Sequence, residues 1–426
     1  MAYCIIGAGA GGLASARHAS AISNEVVVFE QTDRLGGTWV YTNDVGHDRN
    51  GLPIHTSMYK GLRSNIPKQT MGYLDSAIDS DVSYVKQEEV LRWLEDYAEK
   101  FHLNKLIKFE HHVIRVNPIQ GGSKWEVIVK KLLKNEYEEF QFDCVMVCNG
   151  HYSYPMIPEY PGRDQFNGLQ IHSHDYRSAE RFAGEDLLVI GAGYSALDIV
   201  IATLNVAKSI TISYHKADNL PLDFAPSVVR KPNISSLTTN GAKLVDGTDI
   251  SCSVIIYCTG YEYSFPFLSI DCGIFVEQHR VQPLYKQLIN INHPSMALIG
   301  VPFHCCPTQM MDLQARFCVQ FFSGAKKFPP KEDMLREMEA DIEDRRRRGL
   351  PKQWTHKLVG DLQPKYYNDL AATAGVEPMK PVVMKIFDQC MARRAESLLH
   401  YRNDKFEVID DGEFRLLKGF QSLCLE

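Results

Sequence analysis

Residues 166–198, FNGLQIHSHDYRSAERFAGEDLLVIGAGYSALD, constrain the fold more than any other stretch of the chain. They carry a linker of the form F-x-G-x-x-x-H-x-x-x-Y, made of Phe166, Gly168, His172 and Tyr176. An apolar run closed by G-x-G-x-S-A follows. The run at 187–190 reads as a short buried strand. After it, Gly191 allows a tight turn, Gly193 lets the backbone approach a pyrophosphate, and Ala196 permits close helix–strand packing. A helix entered this way aims its free N–H groups and positive dipole end at phosphate. The linker has no comparable reading alone, because His172 and Tyr176 in isolation are ordinary polar loop residues.

The same grammar recurs at the start of the chain. A strand at 3–6 leads into Gly7-Ala-Gly9-Ala-Gly11-Gly12, then an alanine-rich helix expected from about residue 13 to 22. A second apolar strand at 26–29 ends in Glu30, 18 residues beyond Gly12, where a carboxylate suits the ribose hydroxyls of a dinucleotide. A lone GxGxxG is weak evidence. Strand, glycines, helix, strand and terminal acid together specify a nucleotide site. The second unit ends differently: after the strand at 209–214 come His215 and Lys216 and no carboxylate. Cations accommodate a 2′-phosphate, so this site is expected to take NADPH rather than NADH.

A chain of 426 residues has room for two domains, one inserted in the other. A net charge of −6, with no stripe of aromatic and basic residues, excludes nucleic acid as an expected partner. The eleven cysteines form no C-x-x-C and mostly sit in apolar runs, so neither a metal site nor a disulfide framework is expected. No run of 18 apolar residues suggests a membrane span. The expectation is a soluble chain, cytoplasmic, or secreted where a targeting peptide precedes residue 1. A homo-oligomer is compatible with all of this.

Between and beyond the two units, the signals are local. Gly36, Gly37, Thr38 and Trp39 combine backbone that can pass closely over a flat group with a stacking face. Asn65 ends a loop of the form N-x-P-K, where one amide can both donate and accept. Residues 85–101 have helical apolar spacing, and three alternating segments at 113–116, 125–130 and 140–142 read as a β-meander. The buried-strand pattern at 144–148 closes on Asn149-Gly150, and 253–259 closes on Gly260 in the same way, so each should end one nucleotide unit. Residues 297–301 form a further strand, and 309–322 a helix whose Gln314 could neighbour a ring or phosphate. The pairs Asp341/Arg345, Glu343/Arg347 and Asp344/Arg348 suggest a self-paired, solvated helix face. The tail at 365–404 reads as helical wrapping without recognisable chemistry.

Taken jointly and in order over roughly the first three-quarters of the chain, these motifs resemble the flavin-containing monooxygenases, of the class B flavoprotein monooxygenases. The carriers are Gly7 to Gly12, Gly36-Gly37-x-Trp39, Asn65 in its loop, the Phe166–Tyr176 linker, Gly191-x-Gly193-x-Ser195-Ala196 and Cys258-Thr259-Gly260-Tyr261. Within the family the short chain is similar to insect enzymes that N-oxygenate pyrrolizidine alkaloids.

The resemblance implies two Rossmann-like α/β domains, with an NADPH domain at 155–265 inserted into an FAD domain formed by 1–154 and 266–426. The second part carries a helical C-terminal region. It implies an NADPH- and FAD-dependent enzyme that passes one oxygen of O2, through a C4a-hydroperoxyflavin, to a nucleophilic amine or sulfide. By the same resemblance, Gly7, Gly9, Gly11, Gly12, Glu30, Gly37, Thr38, Trp39, Ser64 and Gln314 hold FAD. Tyr59, Gly191, Gly193, Tyr194, Ser195 and Ala196 hold NADPH, with His215 and Lys216 at its 2′-phosphate, and Asn65 is catalytic. A Baeyer–Villiger monooxygenase shares this plan but usually carries Trp where this chain has Tyr176. A disulfide reductase would need a redox cysteine pair. An inactive nucleotide-binding interaction protein would not need Asn65.

Overall fold

The computed structural model describes residues 1–214 and 225–419. The chain opens with β1 (Tyr3–Ile6), α1 (Ala10–Ser20) and β2 (Val26–Phe29), followed by α2 (Gln87–Lys100) and β3 (Ile107–Lys108). A meander of β4 (His111–Ile119), β5 (Lys124–Lys131) and β6 (Glu136–Phe142) leads to β7 (Cys144–Val147). The second unit runs β8 (Leu169–His172), β9 (Asp186–Ile190), α3 (Tyr194–Thr203), β10 (Ser209–Ser213) and β11 (Val228–Lys231). Three short strands, β12 (Ile234–Thr238), β13 (Gly241–Leu244) and β14 (Asp249–Ser251), precede β15 (Val254–Tyr257). The hairpin β16 (Phe275–Glu277) and β17 (Arg280–Gln282) leads to β18 (Leu284–Tyr285), β19 (Ile289–Asn290) and β20 (Met296–Leu298). Then come α4 (Pro307–Phe322), α5 (Lys331–Arg347), α6 (Leu362–Ala374), α7 (Pro381–Glu396) and a hairpin of β21 (Lys405–Val408) and β22 (Phe414–Leu417).

Two mainly parallel sheets organise these elements. The first has the order β18-β19-β20-β7-β1-β2-β3, with antiparallel pairing only from β18 to β20. The second, β11-β10-β9-β15-β8, is parallel throughout. The first sheet therefore draws strands from both sides of the second. Its two crossover segments lie together: Pro155 bridges Tyr261, and Asn149 Nδ2 donates to Ser264 O at 3.0 Å.

The apolar character of β1 follows from burial on both faces, as expected in a covered parallel sheet. Tyr3 and Ile5 join the core shared with α1 and α4, whereas Cys4 and Ile6 face the meander strand β5 through Trp125, Val127 and Val129. Truncating Ile5 to alanine would remove about 2–5 kcal/mol of stability. Helix α1 begins at Ala10, not at 13, because Gly11 and Gly12 are its first turn. A Cβ on Gly12 would stand 1.8 Å from Gly7 O, so glycine there is what lets the helix start directly on the strand.

Two expectations on α5 change, and two groups of strands went unread. The short strands of 228–251 and the terminal hairpin carry too few residues each for a periodicity to register. Arg345 is not on a solvated face: it is buried, pairing with Asp341 at 3.0 Å and donating to Lys357 O at 2.9 Å. Arg347 reaches Asp344, at 3.9 Å, rather than Glu343, whose carboxylate takes Arg346 instead. The Asp344–Arg348 pair forms as expected, at 2.9 Å. Among the described residues no helix is long and apolar enough to cross a membrane.

Candidate active site between the two glycine loops

The two glycine turns are built alike. Gly7 has φ +101°, and a Cβ there would lie 2.6 Å from Cys148 O, just beyond β7. Gly191 has φ +113°, and its Cβ would lie 2.4 Å from Cys258 O, just beyond β15. Each turn thus presses against the chain leaving the neighbouring parallel strand, a position only glycine can occupy. Gly9 and Gly193 precede α1 and α3, and neither helix has a side-chain cap, so their first N–H groups keep their donor capacity for a ligand. A Cβ on Gly193 would meet open space, the cradle a phosphate needs, and Ala196 is fully buried behind it. Ser195 is half-buried in the first turn of α3.

Glu30 directly follows β2, and its carboxylate is already organised by protein donors. Oε2 accepts the Ala8 N–H at 2.8 Å, and Oε1 accepts the Thr32 N–H and hydroxyl at 2.9 and 2.8 Å. Gly37 packs backbone to backbone on Gly9, where a Cβ would come 3.0 Å from Gly9 Cα. Thr38 beside it is held through its carbonyl by the Thr56 hydroxyl, and Trp39 lies partly buried against the main core. The Ser64 hydroxyl is buried without a hydrogen-bond partner, a polar atom awaiting one. Gln314 is different: its Oε1 accepts the Gly300 N–H and its Nε2 donates to the Tyr366 hydroxyl, each at 2.8 Å. Its side chain braces the turn after β20 from within the core.

The half-buried Asn65 stands next to Ser64 in a loop gripped from two sides. Arg402 Nε donates to Ser64 O at 3.1 Å, and the Cys390 thiol approaches Asn65 O at 3.7 Å. The Tyr59 hydroxyl donates to Asp198 Oδ2 at 2.7 Å, and burial followed by the Asp198 charge pushes its pKa well upward. Asp198 belongs to α3, so this bond joins the first unit to the second. The Tyr194 hydroxyl points to Met391 Sδ at 3.4 Å, and the Arg394 guanidinium lies 4.0 Å from its ring centroid.

The linker motif becomes intelligible as packing. The Phe166 ring covers Gly168, where a Cβ would fall 2.5 Å from the ring and 2.2 Å from Ser253 O. Tyr176 is buried edge-on to Tyr59 at 5.4 Å and stacked on Phe182 at 5.8 Å. His172 ends β8, and its Nδ1 accepts the His174 N–H at 3.0 Å, which leaves the ring proton on Nε2. Burial lowers its pKa to about 4, and burial does the same to His151 near the start of the first crossover. Both rings are neutral near pH 7.

Sequence reading missed Asp198, Cys390, Met391, Arg394 and Arg402. Asp198 did carry a signal: a carboxylate one turn into a helix that follows a glycine loop calls for a cation nearby. The residues of α7 and the turn after it carried none. His215 and Lys216 lie outside the described residues. Among the described residues no three His, Cys, Asp or Glu side chains gather to hold a metal.

Two dinucleotide units joined through such a linker define a nucleotide-dependent flavoprotein oxidoreductase, and the comparisons with known proteins narrow that class. The chain matches the flavin-binding monooxygenase-like family over residues 2–219 and 216–394. It is 34% identical to senecionine N-oxygenase of Tyria jacobaeae over 97% of this chain and 91% of that protein. Among solved structures it is similar to S-allyl-L-cysteine S-oxygenase from Allium sativum, with TM-score 0.87, 32% identity and 94% of each chain covered. It is also similar to Tmm from Pelagibacter sp. strain HTCC7211, with TM-score 0.87 and 27% identity over 97% and 96%. The chain belongs to the flavin-binding monooxygenase-like family and is a flavin-dependent monooxygenase.

Proposed function

We propose that this enzyme uses NADPH and FAD to transfer one oxygen atom of O2 to a nucleophilic nitrogen, that of a tertiary amine alkaloid of the pyrrolizidine type. The observation that carries the reading is the meeting of the two glycine-loop units at Tyr59 and Asp198, beside Asn65. The alkaloid rests on the likeness to senecionine N-oxygenase along nearly the whole chain. A second reading, oxygenation of thioethers as well as amines, is favoured by the likeness to an S-oxygenase of similar overall shape.

In this proposal the chain divides into an FAD domain, 1–154 with 266–426, and an NADPH domain, 155–265. The turn of Gly7, Gly9, Gly11 and Gly12 receives the FAD pyrophosphate at the open start of α1. Glu30 would take the ribose, Gly37, Thr38, Trp39 and Ser64 would line the rest of FAD, and Gln314, engaged with Gly300 and Tyr366, would support that wall from the core. Gly191, Gly193, Tyr194, Ser195 and Ala196 receive NADPH at α3, with Tyr59 alongside and His215 and Lys216 at the 2′-phosphate. FAD, when bound and reduced by NADPH, would supply the activation of O2, from which the transferred oxygen atom comes. Asn65 would orient the bound nicotinamide and the reacting oxygen through the donor and acceptor of one amide. The Tyr59 and Tyr176 rings, packed edge to face beside the contact between the two units, exclude water there.

The test is NADPH consumption by the flavin-loaded protein, with H2O2 followed in parallel, using no substrate, trimethylamine, a thioether and a pyrrolizidine alkaloid. Stimulation by the alkaloid alone, with N-oxide formed and little peroxide, is the expected result. Stimulation by all three selects the broader reading. Peroxide without product in every case overturns both.

A further inference from the structure

A single arginine from the C-terminal region closes the contact between the two nucleotide units. Arg402 sits in the short turn Tyr401–Asn403 after α7. Its Nη1 and Nη2 form a two-pronged pair with Asp198 of α3 at 2.9 and 2.8 Å, while its Nε donates to Ser64 O at 3.1 Å. Its own carbonyl accepts Arg63 Nη2 at 2.6 Å. The turn itself is pinned by Arg393, whose Nε meets Asp404 Oδ2 at 2.7 Å. Asp198 Oδ2 also takes the Tyr59 hydroxyl, so all three partners are held in one arrangement. Arg402 and Asp198 are only 17% and 16% exposed, which shields the pair from solvent screening. A planar guanidinium alone can fill these three positions at once; a lysine supplies one point charge.

We infer that Arg402 is a positioning residue, which through Asp198 and the Ser64 carbonyl fixes the Asn65 loop against the nucleotide helix α3. This rests on the monooxygenase reading above. The C-terminal turn is then a working part of the site and not mere wrapping. Without the clamp, each unit still binds its own nucleotide, but Asn65 no longer stands in register with α3. Misplacement of that order lowers the efficiency of the productive reaction far more than binding.

The experiment compares Arg402→Met, Asp198→Asn and the double variant with the wild type. It measures FAD content, NADP+ affinity, Tm, product formed per NADPH, and hydrogen exchange of residues 60–68 in the cofactor-free protein. Each single variant leaves one half-buried charge without its partner and loses stability for that reason; the double variant removes both charges. The expected result is that the double variant regains Tm while product per NADPH stays roughly fivefold or more below wild type. Exchange at 60–68 stays raised. Recovery of coupling together with Tm would overturn the inference, because the pair would then serve stability alone. Should a single variant fail to fold, the double variant and Tyr59→Phe decide, and coupling at the wild-type level in both also overturns it. A wild type that makes no oxygenated product refutes the monooxygenase reading instead; the exchange measurement then still reads the clamp.

Discussion

The Glu30 carboxylate accepts the Ala8 N–H at 2.8 Å, so the acid just after β2 also braces the glycine turn that follows β1. The dinucleotide acid is usually considered for its ribose contact, but here it fixes the turn that would meet the pyrophosphate. Glu30→Gln keeps the shape and removes the charge. A charge-assisted hydrogen bond contributes about 1.5–3 kcal/mol, so FAD affinity is expected to fall roughly 10- to 100-fold. Fluorescence titration of the deflavinated protein measures this, and an unchanged Kd would contradict the bracing role.

Gly191→Ala should separate the two nucleotide sites. The new Cβ would lie 2.4 Å from Cys258 O at a residue with φ +113°, so the turn must shift. The equivalent turn at Gly7 is untouched. We expect bound FAD to remain stoichiometric while KM for NADPH rises about tenfold or more, since a displaced turn spoils the helix-end site. Loss of flavin at unchanged KM would reverse the assignment of the loops.

The features legible in the sequence are those with one chemical solution. Gly7 and Gly191 are required by their φ angles and by the carbonyls they face, and Gly168 by the Phe166 ring, so their motifs are visible without a structure. The strand at 3–6 is legible because both its faces are buried. Contacts between distant segments leave no local trace: Asp198 and Arg402 are 204 positions apart, and nothing beside Arg402 marks it. Arg345 was misread for a related reason. Its spacing to Asp341 is that of a surface pair, and only the packing of α5 on the Lys357 segment buries it.

His356 offers a pH prediction whose sign is fixed by its surroundings. It is buried, accepting the Val281 N–H on Nε2 at 2.9 Å and meeting Gln287 Oε1 through Nδ1 at 3.1 Å, and burial lowers its pKa to about 3. Above an unfolded-state value of about 6.5 the ring is neutral in both states and stability does not depend on it. As pH falls below that, the unfolded chain takes up a proton that the folded chain refuses. Stability then drops by about 1.4 kcal/mol per pH unit until the folded pKa is reached. His356→Gln should be less stable at pH 7.5 yet show a shallower loss between pH 6.5 and 5 in urea midpoints. Parallel slopes would mean the ring is protonated in the fold.

Asn65→Ala addresses the oxygen-transfer step itself. The loop backbone is held independently of the amide, by Arg402 on Ser64 O and by the Ser64 N–H on Val85 O at 2.8 Å, so removing the side chain leaves the loop in place. Stability should change little, because Asn65 is half-buried and its amide makes no protein hydrogen bond among those described. FAD content and NADPH oxidation should persist, while most of the electrons appear as H2O2 instead of product. Removing one well-placed polar group at a reacting centre typically costs 10²- to 10³-fold in the productive step. Normal coupling in Asn65→Ala would place the orienting group elsewhere. The Ser64 hydroxyl would then come first, since it is buried without a partner one residue away.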